Sequence, residues 1–198
     1  MSPAVKNRRG SAHEGSEEAD VPTSGAEELF RDHAGFVASL LHRLGVAAPD
    51  VPDLVQEVFL LTHRKGGFEN RGTAQPRTWV AAIALRLAAS HRRRRRETPN
   101  PNVVESAVSQ IPSPAFAVDM RESLERVQSC LDSLDEEHRA VFVLFEIEGF
   151  TGAEVAAALE VPVGTVHSRL HHARRRFSEA HARALSACGE QEEASGVD

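Results

Sequence analysis

Cysteine, aromatic residues and long apolar runs are all scarce in this chain of 198 residues. Its two cysteines, Cys130 and Cys188, form no CxxC pair, which excludes a disulfide scaffold or a cysteine-rich zinc site and favours the reducing cytoplasm. No apolar run approaches the roughly 20 residues that span a bilayer. Residues 1–24 are polar and contain no signal-like apolar stretch. The sequence therefore predicts a folded, cytoplasmic protein without membrane insertion.

The formal charge of −6 hides a strong segregation of charged residues along the chain. Residues 86–96 contain six arginines and no acid, and residues 169–183 contain five arginines against one acid. Residues 119–148 carry nine acids against three bases. Two separate basic patches indicate two contacts with a polyanion and leave acidic surface for other uses. Solvated helix faces are the alternative interpretation of the arginine runs.

Apolar residues at helical spacing predict three helices in the first half of the chain. Ser24 and Glu27 have capping-box spacing at the start of the first helix, and Gly45 is its stop. The second helix covers about residues 53–64, and the third covers about residues 76–95 and ends in the arginine run. The apolar repeat of the first helix comprises Leu29, Phe30, His33, Phe36, Val37, Leu40, Leu41 and Leu44.

A proline-rich segment at residues 97–116 cannot sustain a helix and predicts a linker to a second helical group. Ser133 and Glu136 have capping-box spacing, and Gly149 ends the helix that they begin. A short helix over residues 152–159, a turn at residues 160–162 and a final helix over residues 163–184 follow. Before them, one buried face is predicted from Met120, Leu124, Val127, Leu131 and Leu134.

These elements predict an all-α fold of two small helical domains, joined by a flexible linker that contains proline. We assign residues 1–24 to a disordered leader, 25–96 to the first domain and 97–117 to the linker. Residues 118–187 form the second domain, and residues 188–198 form an acidic tail.

Residues 154–170 have the pattern of a helix-turn-helix, which presents the start of its second helix to the major groove of DNA. A plain helical hairpin is the alternative. A metal site at His167 and His171 is disfavoured, because Ser168 stands where an HExxH motif needs glutamate. No phosphate-binding glycine loop or catalytic triad is recognisable. The sequence therefore predicts neither an enzyme nor a cofactor.

The polar loop at residues 68–75 begins with Phe68 and leads into the helix that contains Trp79 and the arginine run. Aromatic side chains next to arginines suit single-stranded nucleic acid, because rings stack on bases and cations bind the backbone. A core position is the favoured alternative for Trp79, which has Val80 and Ile83 beside it.

At these residues the chain resembles a known family. DLVQEVFL at residues 53–60 and RTWVAAIA at residues 77–84, followed by the arginine run, resemble the promoter-opening domain of bacterial sigma factors. LDSLDEEHRAVF at residues 131–142, EVAAAL at residues 154–159 and VGTVHSRLHHAR at residues 163–174 resemble their second DNA-binding domain. The two-domain layout is similar to the extracytoplasmic-function group of the sigma-70 family, over about residues 27–185.

The resemblance implies a sigma factor that binds core RNA polymerase, directs it to promoters and assists melting. The implied partners are the β′ clamp helices, the β flap, promoter DNA in double-stranded and melted form, and an anti-sigma factor. The implied polymerase-binding residues are Asp53, Leu54, Gln56, Glu57 and Phe59. Those for minus-ten DNA are Phe68, Glu69, Asn70, Arg71, Thr73, Arg77, Trp79, Arg86, Arg92, Arg93 and Arg94. Those for minus-thirty-five DNA are Thr165, His167, Ser168, Arg169, His171, His172, Arg174, Arg175 and Arg176.

The chain departs from the family pattern at several of these positions. Arg86 and Ser90 replace the usual Asn and Asp, and Glu160 stands where the turn usually has glycine, which predicts a strained or shifted turn. His167 and His172 occupy positions often held by arginine. Two other functional classes remain open: a stand-alone helix-turn-helix regulator that dimerises through its first domain, and a protein-binding regulator without DNA.

Overall fold

Seven α-helices build most of the computed structural model, which describes residues 23–69, 75–97 and 115–195. The predicted all-α class is confirmed. Within the described ranges no helix combines the length and apolarity that crossing a membrane requires. The helices are α1 Ala26–Arg43, α2 Val51–Arg64, α3 Pro76–Glu97, α4 Ala115–Asp132, α5 Glu136–Phe142, α6 Gly152–Leu159 and α7 Val163–Ser195.

Four short elements accompany these helices in the described ranges. A 3₁₀ turn, Ala48–Asp50, precedes α2, and a π-helical stretch, Val143–Ile147, continues α5. Two strands of two residues, β1 Thr23–Ser24 and β2 Phe68–Glu69, pair antiparallel. This pairing was not predicted, because two residues are too few to show an alternating pattern.

Helices α1, α2 and α3 pack on one another as a first module. Ala81, Ala84 and Ala88 lie along α3 and are fully buried, so the neighbouring helices can approach its backbone closely. Leucine and valine side chains from α1 and α2 fill the space against them. The fully buried members are Leu29, Val37, Leu40, Leu41 and Val58.

Helices α4 to α7 form a second module, in which α7 contacts α4, α5 and α6. Phe142 of α5 stacks on Phe177 of α7 with ring centroids 4.5 Å apart. The core around this pair is fully buried and consists of Leu131, Val141, Val143, Leu144, Val155, Val166 and Ala173.

The helix ends confirm two predicted stops and correct two predicted caps. Gly149, with φ +72°, follows directly after the π-helical stretch that continues α5 and its C-cap, Glu148. Gly45 ends α1 with φ +85°, and the amides of Gly45 and Val46 donate to the carbonyls of His42 and Leu41. Ser24 does not cap α1. It lies opposite Phe68 in the β1–β2 pair, and Gly25 is the N-cap of the helix.

Ser133 likewise does not cap α5. Its hydroxyl donates back to the carbonyl of Cys130 at 2.6 Å, and Asp135 caps the helix by accepting from the amide of His138. Serine hydroxyls often bond a carbonyl three or four residues back, which competes with capping.

Three side chains of the predicted apolar repeats are exposed, two of them on the face of α4 that we predicted to be buried. Phe30 is 49% exposed, Leu124 is 62% exposed and Val127 is 37% exposed. Helical periodicity identifies the apolar stripe of α4 and the C-terminal part of that stripe is buried, at Cys130 and Leu131. Periodicity does not say how much of a stripe the neighbouring helix covers.

The described ranges cover only parts of the predicted leader, linker and acidic tail. Residues 1–22 and 98–114 lie outside the described ranges, as do most of the leader and linker predictions. Helices α3 and α4 reach into the two ends of the predicted linker, and α7 continues to Ser195, through residues that we assigned to the acidic tail.

Candidate nucleic-acid interface

The helix-turn-helix consists of α6, a short turn and α7, and a reciprocal cap fixes its first residue. The hydroxyl of Thr151 accepts from the amide of Glu154 at 3.3 Å, and the carboxylate of Glu154 accepts from the amide of Thr151 at 2.8 Å. The bond from the Thr151 amide, and after it a bond from the Thr151 hydroxyl to the same carboxylate at 2.8 Å, holds the pKa of Glu154 below its ordinary value. The ionised carboxylate therefore stabilises the start of the motif.

Replacing Glu154 by glutamine is expected to lower the free energy of unfolding by roughly 0.3–1 kcal/mol at neutral pH, because the cap loses its negative charge. A lowered folded-state pKa contributes stability above the ordinary carboxyl pKa of about 4.3 and loses it as the pH falls through the folded value. Thermal unfolding of both proteins as a function of pH should thus show two curves that converge in acid. A constant difference at every pH would contradict the assignment.

The turn between α6 and α7 has an unusual backbone. Glu160 adopts the left-handed conformation, φ 57° and ψ 41°, as the C-cap of α6. The predicted strain is confirmed, since a side chain in this region costs about 1 kcal/mol that glycine avoids. Val166 and Leu170 of α7 are buried beneath the turn together with Ala156 and Ala158 of α6, so the crossing of the two helices is firmly packed.

The start of α7 presents a mainly polar surface. His167, Ser168, His171 and His172 are exposed, and Thr165 is half-buried. The first four are hydrogen-bonding side chains in the part of the second helix that a helix-turn-helix inserts into the major groove. These predicted minus-thirty-five residues are thus sterically free to approach base edges.

Three arginines that we also predicted to bind DNA instead join α7 to carboxylates of the same module. Arg169 pairs with Glu137 at 2.6 Å and Arg174 with Glu146 at 2.6 Å. Arg176 pairs with Asp135 at 2.7 Å. Arg175 is exposed and lies 3.8 Å from Glu179 on its own helix, a distance at which an exposed pair contributes little.

The Asp135 carboxylate links this arginine set to the histidines. It accepts from His138 at 2.6 Å as well as from Arg176. Burial raises the pKa of Asp135, but the hydrogen bonds from His138 and Arg176 outweigh it and leave the pKa below its ordinary value. The ring of His138 lies edge-on to that of His172, with centroids 6.1 Å apart, so this cap also contacts a histidine on the polar face of α7.

The predicted polymerase-binding residues, all on α2, fall into an exposed group and a buried group. Asp53, Gln56 and Glu57 are exposed on one face of the helix. Leu54 and Phe59 are each only 6% exposed and belong to the core. Sequence reasoning missed two exposed apolar neighbours, Leu60 at 47% and Phe30 at 49%.

The aromatic pair at the polar loop is packed inward. Phe68 is 4% exposed, and its ring lies against that of the half-buried Trp79 with centroids 5.8 Å apart. The favoured core position of Trp79 agrees with this packing, and the Phe68 ring is not available to stack on a base. Glu69 is exposed, while Asn70, Arg71 and Thr73 lie outside the described residues.

The β1–β2 pair holds the start of this loop. Gly67 has φ +90°, and a Cβ there would overlap the carbonyl of Ser24. The backbone before the loop thus depends on glycine for its close approach to β1.

The arginine run at the end of α3 is not uniform. Arg92 is bonded to the carbonyl of Leu44 and to Glu136, and Arg95 pairs with Asp50 at 3.0 Å. Arg93, Arg94 and Arg96 are exposed. Two of the three predicted DNA-binding residues of the run therefore face solvent, and Arg92 does not.

Arg77 and Arg86, near the start and middle of α3, face the second module. Arg77 pairs with Glu148 at 2.6 Å, and Arg86 pairs with Glu160 at 2.6 Å. Sequence reasoning did not find these carboxylates as partners. The signal available was the acid-rich stretch at residues 119–148, which includes Glu148.

Known proteins share this division into modules. Residues 29–98 match the family model described as Sigma-70 region 2, and residues 124–177 match Sigma-70, region 4. The chain is 33% identical over 156 residues to the ECF RNA polymerase sigma factor SigE of Mycolicibacterium smegmatis, which covers 77% of this chain and 60% of that relative. It is 34% identical over 149 residues to the ECF RNA polymerase sigma-E factor of Escherichia coli. This match covers 70% of this chain and 76% of that relative.

Solved structures show the same fold. CnrH in complex with the cytosolic domain of CnrY matches with a TM-score of 0.55 and 25% identity, over 82% of this chain and 88% of that one. The sigma factor RpoE in complex with the anti-sigma factor NepR from Bartonella quintana matches with a TM-score of 0.62 and 22% identity. This match covers 78% of this chain and 94% of that one. The chain therefore belongs to the extracytoplasmic-function sigma factors, whose members direct bacterial RNA polymerase to promoters.

Proposed function

We propose that this sigma factor docks on the β′ clamp helices of the polymerase through the exposed face of α2. Asp53, Gln56 and Glu57 supply polar contacts, and Leu60 and Phe30 supply apolar area. Exposed large apolar side chains that are surrounded by polar residues are typical of protein-binding surfaces. The exposure of this face is the observation that carries the proposal.

The remaining surfaces then divide the promoter between them. The polar face of α7 reads the minus-thirty-five element in double-stranded form, and the second module also contacts the β flap. Residues 70–74 hold a base of the minus-ten element, and the arginines of α3 bind the backbone of the melted strand. The protein catalyses nothing itself; it supplies promoter specificity and assists melting in the cytoplasm.

A stand-alone regulator is not favoured, because both sigma-70 regions are matched in order along the chain. An anti-sigma factor is a further proposed partner. Its support is the structure of the sigma factor RpoE, which is similar to this chain and is bound to the anti-sigma factor NepR.

Co-elution with core RNA polymerase on gel filtration tests the docking surface. Leu60→Asp is expected to abolish co-elution, because it places a charge at the centre of an apolar contact while leaving the buried core intact. Leu54→Asp is not a suitable variant, since Leu54 is buried and a buried unpaired carboxylate would unfold the module.

Leu185→Asp provides the matched control, as Leu185 is 53% exposed on α7 in the other module. It should co-elute like the unmodified protein, and circular dichroism should show all three proteins folded. Co-elution of a folded Leu60→Asp protein at the unmodified level would exclude α2 as the main dock.

A further inference from the structure

Glu148 forms an ion-pair cluster between the two modules. Its carboxylate pairs with Arg43 at 2.5 Å and with Arg77 at 2.6 Å, and Arg77 also donates to the Glu148 carbonyl at 2.8 Å. Only 6% of the Glu148 side chain is exposed. Burying a carboxylate is costly unless both oxygens are paired, and here both partners come from the first module.

Aromatic rings surround this cluster. The guanidinium of Arg77 lies 4.3 Å from the ring centroid of Phe36 and 5.0 Å from that of Phe150. The two rings, one from each module, are themselves 6.3 Å apart. Stacking against both rings fixes the position of the guanidinium and adds apolar contact to the ion pairs.

Two more arginines of α3 meet carboxylates of the second module. Arg92 pairs with Glu136 at 2.9 Å, and Arg86 pairs with Glu160 at 2.6 Å. The Thr78 hydroxyl also donates to Glu154 at 3.3 Å. Carboxylates of the second module thus contact α3 at its start, middle and end.

We propose that the free chain closes on itself, with Glu148, Glu160 and Glu136 occupying the arginines of α3 in place of DNA phosphates. Carboxylate and phosphate oxygens accept the same paired hydrogen bonds from a guanidinium, so one substitutes for the other. DNA and the second module then compete for Arg77, Arg86 and Arg92. This inference rests on the proposed role of α3 in binding the melted strand.

Two residues that depart from the family pattern support this state. Arg86 and Glu160 are paired with each other across the modules. The pair is exposed and contributes less than the buried Glu148 cluster, but reversing one of its charges would replace the attraction by repulsion. The closed state accounts for the acid-rich stretch, because both Glu136 and Glu148 lie within residues 119–148.

A distance measurement between spin labels on the full chain tests the proposal. Labels are attached to cysteines introduced at Ser39 of α1 and Ser178 of α7, both exposed, with Cys188 replaced by serine. Cys130 can remain, because it is buried and burial raises the pKa of its thiol, which slows labelling.

The labelled chain that keeps all three glutamates is expected to give one narrow distribution of label-to-label distances. The triple variant Glu136→Gln, Glu148→Gln, Glu160→Gln should give a longer and broader one. The matched control, Glu137→Gln, Glu146→Gln, Glu179→Gln, changes the net charge equally, but its carboxylates pair with arginines of α7. It should keep the narrow distribution.

Adding single-stranded oligothymidine to the labelled chain tests the competition. Saturating DNA should convert the narrow distribution to the broad one, and the triple variant should bind the probe at least threefold more tightly than the control variant. Retention of the narrow distribution at saturation would overturn the competition. A broad distribution without DNA would overturn the closed state, whatever the role of α3.

A charge swap keeps the proposal testable if the triple variant does not fold. Arg86→Glu introduces repulsion with Glu160 at an exposed site that does not affect either core. It should broaden the distribution, and adding Glu160→Arg should narrow it again. Failure of the swap to restore the distribution, with both proteins folded, would exclude this contact from the closed state.

Discussion

Replacing Leu170 by alanine is expected to lower the free energy of unfolding of the second module by about 2–5 kcal/mol. Leu170 is 4% exposed and packs between α7 and the preceding helix of the helix-turn-helix. Its loss leaves a cavity at the point that sets the crossing of these helices. Denaturant unfolding followed by circular dichroism measures the effect on stability.

The same substitution should remove promoter-dependent transcription in vitro, because the polar face of α7 no longer has a fixed position. Leu185→Ala is the control, since Leu185 lies on α7 but is 53% exposed. Exposed substitutions usually change stability by less than about 0.5 kcal/mol. Equal losses of stability in the two variants would show that Leu170 does not form part of a packed helix crossing.

Replacing Arg93 and Arg94 together by alanine is expected to weaken DNA binding and its dependence on salt. Both side chains are exposed at the end of α3, where the melted strand is proposed to run. Each phosphate contact to a single strand contributes about 0.7 to the slope of log affinity against log salt, so the slope should fall by about 1.4. Titration of oligothymidine at several salt concentrations measures it.

Arg95→Ala is the matched control within the same run. Arg95 pairs with Asp50 at 3.0 Å and is therefore directed toward the first module. Its removal should leave the salt slope nearly unchanged. An equal reduction by Arg95→Ala and by the double variant would mean that position in the run, and not side-chain direction, determines DNA contact.

The sequence predicted the helices well where apolar periodicity and end signals coincide. The predicted span of α6, residues 152–159, matches the structure, as does the stop at Gly45. The all-α class and the helix-turn-helix follow from the same local signals. Capping was predicted less well, because Ser24 lies in the β1–β2 pair and the Ser133 hydroxyl bonds the carbonyl of Cys130, neither of which their spacing reveals.

The direction of charged side chains could not be predicted from the sequence. Arg92 and Arg93 are adjacent and identical in type, yet one is bound to Glu136 and the other is exposed. The contacts of Arg77 with Glu148 join residues far apart in the chain, and no periodic pattern encodes them. Leu54 and Phe59 show the same limit, since a motif names residues without saying which of them face solvent.

The left-handed backbone at Glu160 has a consequence for how this position evolves. Glycine would relax the turn and favour the second module as an isolated unit, whereas glutamate keeps a carboxylate that reaches Arg86. Local conformational strain and attraction between modules are thus opposed at one residue. Selection for a less strained helix-turn-helix would weaken the attraction between the modules, and selection for a closed free chain would preserve the strain.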